Sequence, residues 1–259
     1  MKIYHLVAVV GIILLFITCS GEKVSFPLVN SISFPEEQIV LESLVAQKIR
    51  TDSAGIQIHS GILSGKTDEM FSLFNDFQKT PSDSLWNILM LNWDNFSLKI
   101  KDVNDGSLPL SSLQKWAELN VQLLKISGEV KFADVLDRLF YQDSAPVITE
   151  KLLKSFIYTH VEDQIFINFI GSSSLLHHHT TGGNIKLIQE TAYPASDEMI
   201  LKCESDDTRF LDVFIRIPSW AVNPTVNLGN VKYVAHPGEY SEISRKWNNG
   251  DKIVVRLKN

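Results

Sequence analysis

The sequence predicts an α+β chain whose helices come first and whose strands come second. Between residues 36 and 160, apolar side chains recur at three- and four-residue spacing, which is typical of helices packed on a core. From Gln164 onward the apolar period changes to two, and turn residues such as Gly182-Gly183 and Asn249-Gly250-Asp251 separate the runs. With 259 residues and 44% hydrophobic content, the chain can bury a sizeable core. We therefore expect a helical domain over 36–160 and a β domain over 161–259.

The N-terminal segment has the composition of a secretion signal. Lys2 is followed by an apolar run, Leu6–Ile17, which is shorter than the ~20 residues of a membrane span and has the length of a signal-peptide core. The run ends at Cys19, in a Thr-Cys-Ser-Gly sequence similar to the cleavage site of bacterial lipoproteins, in which the cysteine carries lipid. We predict a signal peptide over 1–18, lipidation of Cys19 and a tether over 19–35. An ordinary signal peptide with an incidental cysteine is the alternative.

Charge and cysteine content exclude several classes of function. The formal net charge is −6 and no basic run is present, so nucleic acid is not an expected partner. Cys19 and Cys203 are the two cysteines; if Cys19 is lipidated, no internal disulfide can form. Cys203 lies in the strand-like run Met199–Glu204, which favours a buried apolar thiol over a nucleophile.

Helices are predicted wherever the apolar spacing is helical. The segment Ser33-Phe34-Pro35-Glu36 has the sequence pattern of a capping box, so a helix is expected from Glu36 to about Arg50. Trp86 and Trp93 follow helical spacing, which favours core packing over a sugar-binding platform. Further helices are predicted around Met70–Phe77, from Thr80 through Trp93, and over Ser111–Ile126, Phe132–Tyr141 and Pro146–Tyr158, with Gly128 ending the fourth.

Strands are predicted where the period is two. The last of them is expected in a final hairpin over Arg245–Leu257, with Asn249-Gly250 at its turn. The predicted strands are Ile165–Ile170, Ile185–Glu190, Met199–Glu204, Phe210–Ile217, Val231–Val234 and Lys252–Leu257.

Six segments also follow one another in the order of a known family. They are Leu123–Tyr141 (similar to "LLxLTGDxxYADxLERxLYN"), Leu152–Tyr158 ("LLASLxxYIY"), Ile165–Ser172 ("LYVNLYIGS"), Gln189–Pro194 ("QETDYPW"), Ile215–Trp220 ("LRIPxW") and Gly238–Asp251 ("GYxxxxRxWxxGD"). Together they resemble the C-terminal half of the bacterial β-L-arabinofuranosidase family, glycoside hydrolase family 127. The resemblance implies a segment of an (α/α) helical barrel followed by an antiparallel β-sandwich.

The resemblance also implies a chemistry, whose residues this chain lacks. The family uses a zinc-bound cysteine thiolate as nucleophile, with a glutamate available to protonate the leaving sugar oxygen. Counting back from Ser127-Gly128 and from Leu152-Leu153 places the nucleophile and zinc positions on other residue types: Pro109, Ser111, Ser144 and Ala145. No cysteine lies between Cys19 and Cys203, so no shift of register restores the motif. We therefore predict no catalytic residue, no metal and no cofactor.

The remaining candidate residues have structural explanations that we favour. The run His177-His178-His179 predicts a solvated hairpin turn; as a metal site it would offer at most two histidines on one face of a strand. His160, Glu162 and Asp163 are interpreted as a solvated loop rather than a catalytic group. Ser144 and Thr149 fit the N-terminal cap of a helix better than a lone nucleophile. Trp220 and Trp247 are expected between the sheets, with a sugar-facing position as the alternative.

These observations favour a non-catalytic lipoprotein of the cell envelope that is lipid-anchored through Cys19, at the outer membrane or the periplasmic face. It would derive from a β-L-arabinofuranosidase-like glycoside hydrolase, with a carbohydrate as candidate ligand or an accessory role. The alternative is an active glycoside hydrolase that acts on plant-type oligosaccharides through carboxylates alone. A third hypothesis is a degenerate relic without a present role.

Overall fold

The computed structural model describes residues 29–42, 64–100, 109–141 and 147–258. In these ranges, helices are combined with two mostly antiparallel sheets, and ten of the twelve strands follow the helices, which confirms the predicted α+β class. The predicted signal peptide, Cys19 and most of the tether lie outside the described residues. Among the described helices, none combines the length and the apolar character needed to cross a membrane.

The helices form where the amphipathic spacing predicted them. They are α1 (Ser64–Lys79), α2 (Asp83–Lys99), α3 (Leu110–Ser127), α4 (Val130–Tyr141) and the short α5 (Glu150–Lys154). Gly128 ends α3 as predicted: its φ is 68°, and a Cβ there would come within 2.7 Å of the Val29 side chain. Trp86 and Trp93 are buried on α2, as expected for core positions.

Two helix predictions need correction. The helix expected from Glu36 to Arg50 is absent over 36–41, where a single 3-10 turn leads into a strand, Ile39–Leu41. That strand pairs antiparallel with Ser173–His178, so a long-range ladder overrides the local capping signal; residues 43–50 lie outside the described residues. The helix expected to reach Tyr158 ends at Lys154, because Tyr158 begins a buried strand.

The strands belong to two sheets. Their ranges are β1 (Ile32–Ser33), β2 (Ile39–Leu41), β3 (Tyr158–Val161), β4 (Gln164–Ile167), β5 (Ser173–His178), β6 (Asn184–Thr191), β7 (Glu198–Ser205), β8 (Arg209–Arg216), β9 (Thr225–Leu228), β10 (Val231–Tyr233), β11 (Tyr240–Trp247) and β12 (Lys252–Arg256). One sheet has the order β1-β3-β4-β8-β11 and the other β10-β9-β12-β7-β6-β5-β2. Only the β4–β8 pairing is parallel among these ladders. Alternate residues of each sheet, such as Val213, Ile243, Leu201 and Ile253, are fully buried, as in a sandwich core.

The final hairpin predicted over Arg245–Leu257 is wrong. β11 pairs with β8 in one sheet, whereas β12 pairs with β7 and β9 in the other. The turn between them therefore crosses from sheet to sheet, and it is held by Cys203, whose N–H donates to Asp251 O and whose carbonyl accepts from Gly250 N. The sequence pattern of an Asn-Gly turn between two alternating strands is the same in a hairpin and in a connection that crosses between sheets.

Candidate functional site

The sequence predicts that the zinc and nucleophile motifs of the family fall on four positions of this chain, of which the structure describes two. Pro109 precedes the first turn of α3 and has no side-chain donor atom, and Ser111 is exposed on that turn. Ser144 and Ala145 lie outside the described residues. In the ranges that the structure describes, no group of three or more His, Cys, Asp or Glu side chains could bind a metal ion. The two described residues, Pro109 and Ser111, do not fit a zinc–thiolate centre.

Cys203 is not a replacement nucleophile. It is 1% exposed on β7, and burial, reinforced by the negative charge of Asp251, raises the pKa of its thiol to about 11. The reactive form of a cysteine is the thiolate, which such an environment disfavours. The predicted buried, apolar thiol is confirmed.

The most developed polar constellation joins helix α4 to the end of strand β8. Arg216 is fully buried; its Nη1 lies 2.7 Å from Asp134 Oδ1 and its Nη2 3.1 Å from Asp137 Oδ2. Asp134 and Asp137 are one helical turn apart, so they share a face of α4. Tyr193 donates its hydroxyl to Asp137 Oδ2, and Ser219 donates its N–H and its hydroxyl to Asp134 Oδ2. We call these five residues the junction network.

The electrostatics of the junction network reflect burial. Burial raises the pKa of Asp137 despite the attraction of Arg216. Burial by itself would lower the pKa of Arg216, but Asp137 and Asp134 more than compensate and raise it. Arg216 is therefore held as a cation between two carboxyl groups at the junction of α4 and the sandwich.

The two carboxyl groups are poorly placed for glycosidic chemistry. Both oxygens of Asp134 accept hydrogen bonds, and the side chain of Asp137 is 4% exposed. A glycosidase needs one carboxyl to protonate the leaving oxygen and a second to act on the anomeric carbon or a water, and both must reach the substrate. The geometry instead ties the helical part to the sandwich. Asp134 and Asp137 lie in the helical run Val130–Tyr141, where local spacing does not distinguish them from solvated acidic residues.

The two sandwich tryptophans have different environments. Trp247 is fully buried between the sheets, as predicted. Trp220 was expected there too, but it is 38% exposed, because it lies in the turn after β8 rather than on a strand. Its ring is nearly parallel to that of Tyr193, with an interplanar angle of 7° and centroids 5.9 Å apart.

The histidine run is not simply a solvated turn. His178 is exposed, but His177 is 4% exposed and its Nε2 lies 2.8 Å from Asp163 Oδ1. His179 shares the same side, as strand alternation predicts, with Nε2 3.4 Å from Asp163 Oδ2. Asp163 also accepts a hydrogen bond from Thr180 N at 3.1 Å. Asp163, interpreted from sequence as part of a solvated loop, therefore anchors the end of the β5–β6 hairpin.

His177 should make stability depend on pH. Burial lowers its pKa from the ordinary 6.5, although Asp163 opposes this and His160 and His179 add to it. As pH falls through 6.5, the unfolded chain takes up a proton that the folded chain resists, so the free energy of unfolding should decrease. In a His177→Gln variant this decrease should be smaller, as measured by urea unfolding between about pH 7.5 and 5.5. His178→Gln is the matched control and should follow the wild type; equal pH profiles for all three proteins would contradict the assignment.

Part of the chain is similar to known glycoside hydrolases. Residues 164–259 match the model of the β-L-arabinofuranosidase GH127 middle domain. Among solved structures, a glycoside hydrolase has 17% identity and a TM-score of 0.49, covering 57% of this chain and 32% of its own. A GH127 β-L-arabinofuranosidase from Geobacillus stearothermophilus T6 has 17% identity and a TM-score of 0.47, covering 56% and 31%. A GH127 β-arabinofuranosidase has 19% identity and a TM-score of 0.49, covering 57% and 32%.

The chain spans about a third of the length of these solved structures. A search of curated proteins gave no match. The family model nevertheless covers the whole strand-rich region from Gln164 and includes four of the six motif segments that the sequence analysis used. The predicted resemblance is confirmed: this chain carries a region similar to the middle domain of the GH127 β-L-arabinofuranosidases.

Proposed function

We propose that this chain is a non-catalytic, glycan-binding lipoprotein of the cell envelope that derives from a GH127-like glycoside hydrolase. The observation that carries the proposal is a contrast within one chain. Residues 164–259 retain the similarity to the GH127 middle domain, whereas the positions of the family's zinc and nucleophile motifs hold Pro109, Ser111, Ser144 and Ala145. A protein that lost turnover but kept a carbohydrate ligand would leave this pattern.

The membrane anchor rests on the N-terminal sequence. The apolar run Leu6–Ile17 followed by Cys19 supports export and lipid attachment, which would place the chain on an envelope membrane. A Cys19→Ser variant should then move from the membrane fraction to the soluble fraction, and the intact mass of the membrane-bound wild type should exceed that of the cleaved chain by the lipid.

The loss of catalysis is tested by metal content and turnover. The purified wild type should contain far less than one zinc per chain, and it should not release the aryl group from an aryl β-L-arabinofuranoside. The physical reason is that neither proline nor a neutral serine hydroxyl replaces a thiolate as zinc ligand or nucleophile. Cys203→Ser is the matched control for adventitious metal, since Cys203 is the one cysteine that a cleaved and lipidated chain retains as a thiol.

Two results would overturn this part of the proposal. Stoichiometric zinc together with turnover above the level of heat-denatured protein would show an active enzyme. Product release from plant-type oligosaccharides without zinc would show a hydrolase that works through carboxyl groups alone, and substitution of candidate acids would then locate its site.

A further inference from the structure

Trp220 stands apart from the other tryptophans of the chain. All five lie within the described residues, and Trp86, Trp93, Trp116 and Trp247 are at most 7% exposed, whereas Trp220 is 38% exposed. An aromatic side chain of this size gains from burial, so the exposure of Trp220 makes it a candidate contact residue.

The turn that carries Trp220 is held on several sides. Ala221 N donates to Pro218 O at 3.0 Å, and Val222 N donates to Leu257 O at 2.8 Å. Ser219 N donates to Asp134 Oδ2 at 3.1 Å, which connects the turn to helix α4. The indole is therefore presented by a fixed backbone, and little conformational entropy is lost when a ligand contacts it.

Tyr193 extends the aromatic surface and is fixed in turn. Its hydroxyl donates to Asp137 Oδ2 at 3.1 Å, and its ring meets Tyr141 edge-on at 4.7 Å. Its plane is within 7° of that of Trp220, and a centroid separation of 5.9 Å corresponds to an offset arrangement in which the rings overlap only in part. Trp220 and Tyr193 thus form a small stepped aromatic surface.

Charged groups of both signs border this surface. Lys258 Nζ lies over the Trp220 ring, 5.2 Å from its centre, in a cation–π contact that a ligand would have to displace or share, and it is 3.5 Å from Asp197 Oδ1. The Lys258 side chain is 55% exposed and that of Asp197 39%, so both can exchange water for a ligand. A donor and an acceptor beside an apolar face suit a molecule with C–H faces and hydroxyl groups. A stable protein partner would need ~800 Å² on each side, far more than one tryptophan offers.

We infer that the surface formed by Trp220 and Tyr193 is the carbohydrate contact of this protein, with the C–H face of a sugar ring on the indole and its hydroxyls directed to Lys258 and Asp197. This inference rests on the proposed glycan binding and assigns it a site. The ligand class is a neutral saccharide, and arabinose-rich polymers are the first probes because of the GH127 similarity.

Fluorescence can report on this site alone. Because the other four tryptophans are buried, acrylamide should quench mainly Trp220 in the native protein. Saturating arabinan or arabinogalactan should protect the wild type from this quenching, and dextran serves as the comparison polymer. In affinity electrophoresis of the full chain in mild detergent, Trp220→Ala should weaken retention at least about tenfold. Phe210→Ala is the matched control, because Phe210 is an exposed aromatic residue (52%) of the same sandwich that does not belong to the proposed surface. This variant should bind the polymers as the wild type does.

The outcomes separate the site from the function. Loss of binding in Trp220→Ala, with unfolding like that of the wild type and with Phe210→Ala retaining binding, supports the assignment. Wild-type binding that Trp220→Ala preserves overturns the site and leaves the proposed function standing. If the wild type binds neither polymer, or if Trp220 proves to be covered by a protein partner, both the site and the glycan-binding proposal fail.

Discussion

Replacing Arg216 with methionine should lower the free energy of unfolding by about 3–5 kcal/mol. Arg216 is fully buried and lies between two carboxyl groups, with Asp134 Oδ1 at 2.7 Å and Asp137 Oδ2 at 3.1 Å. Methionine fills much of the same volume, so the loss would come mainly from leaving Asp137 buried without its counter-ion. Urea unfolding at neutral pH, followed by far-UV circular dichroism, measures the change.

The destabilisation caused by Arg216→Met should depend on pH. Burial already raises the pKa of Asp137 above its ordinary 3.8, and removal of Arg216 should raise it further. A carboxyl group whose folded pKa is raised binds its proton more tightly in the folded state, so its cost appears as pH rises above 3.8. The difference in the free energy of unfolding between the wild type and Arg216→Met should therefore be largest at neutral pH and smaller near pH 4.

Two further variants test the physical cause. Arg256→Met removes a guanidinium that pairs with Glu198 at 2.9 Å but is 48% exposed. This substitution should lower the free energy of unfolding by less than about 1 kcal/mol. Adding Asp137→Asn to Arg216→Met should recover part of the loss, because the amide removes the unpaired buried charge. If Arg216→Met unfolded at the same urea concentration as the wild type, the junction network would not hold the helical part to the sandwich.

The features that sequence predicted well depend on neighbours along the chain. Helices α1 to α4 follow from apolar residues three and four positions apart, and Gly128 ends α3 because the backbone needs a positive φ there. The buried state of Cys203 follows from strand alternation over Met199–Glu204. In each case a few adjacent residues are enough to predict the local structure.

The features that sequence predicted poorly depend on distant partners. Ile39–Leu41 is a strand because Ser173–His178 pairs with it, and three residues are too few for a period to appear. Arg216 lies in the apolar run at the end of β8, and nothing nearby indicates that residues 79 and 82 positions earlier supply its counter-ions. His177 likewise gains its role from Asp163, which belongs to another turn. Long-range pairing of polar groups is the information that local periodicity lacks.

Trp247 should be the most costly aromatic residue of the sandwich to remove, and Trp247→Ala should lower the free energy of unfolding by about 3–5 kcal/mol. Its ring is fully buried at the end of β11, immediately before the turn that crosses between the sheets, and its Nε1 donates to Leu211 O at 3.3 Å. Alanine would leave a cavity beside the point where the chain changes sheets, and the hydrogen bond from the indole to Leu211 O would be lost. Urea unfolding of purified protein measures the loss.

Comparison with Trp220 separates the effect of burial from that of residue type. Trp220→Ala removes the same side chain from a site that is 38% exposed, and it should cost about 1 kcal/mol. Trp247→Phe should be intermediate, because the ring still fills much of the space while the hydrogen bond to Leu211 is lost. If Trp220→Ala were as destabilising as Trp247→Ala, the exposed indole would be an essential part of the fold, and the reason for assigning it to a ligand would disappear. A large difference between them instead means that the chain carries an exposed tryptophan that its stability does not require, as expected for a residue that contacts a ligand.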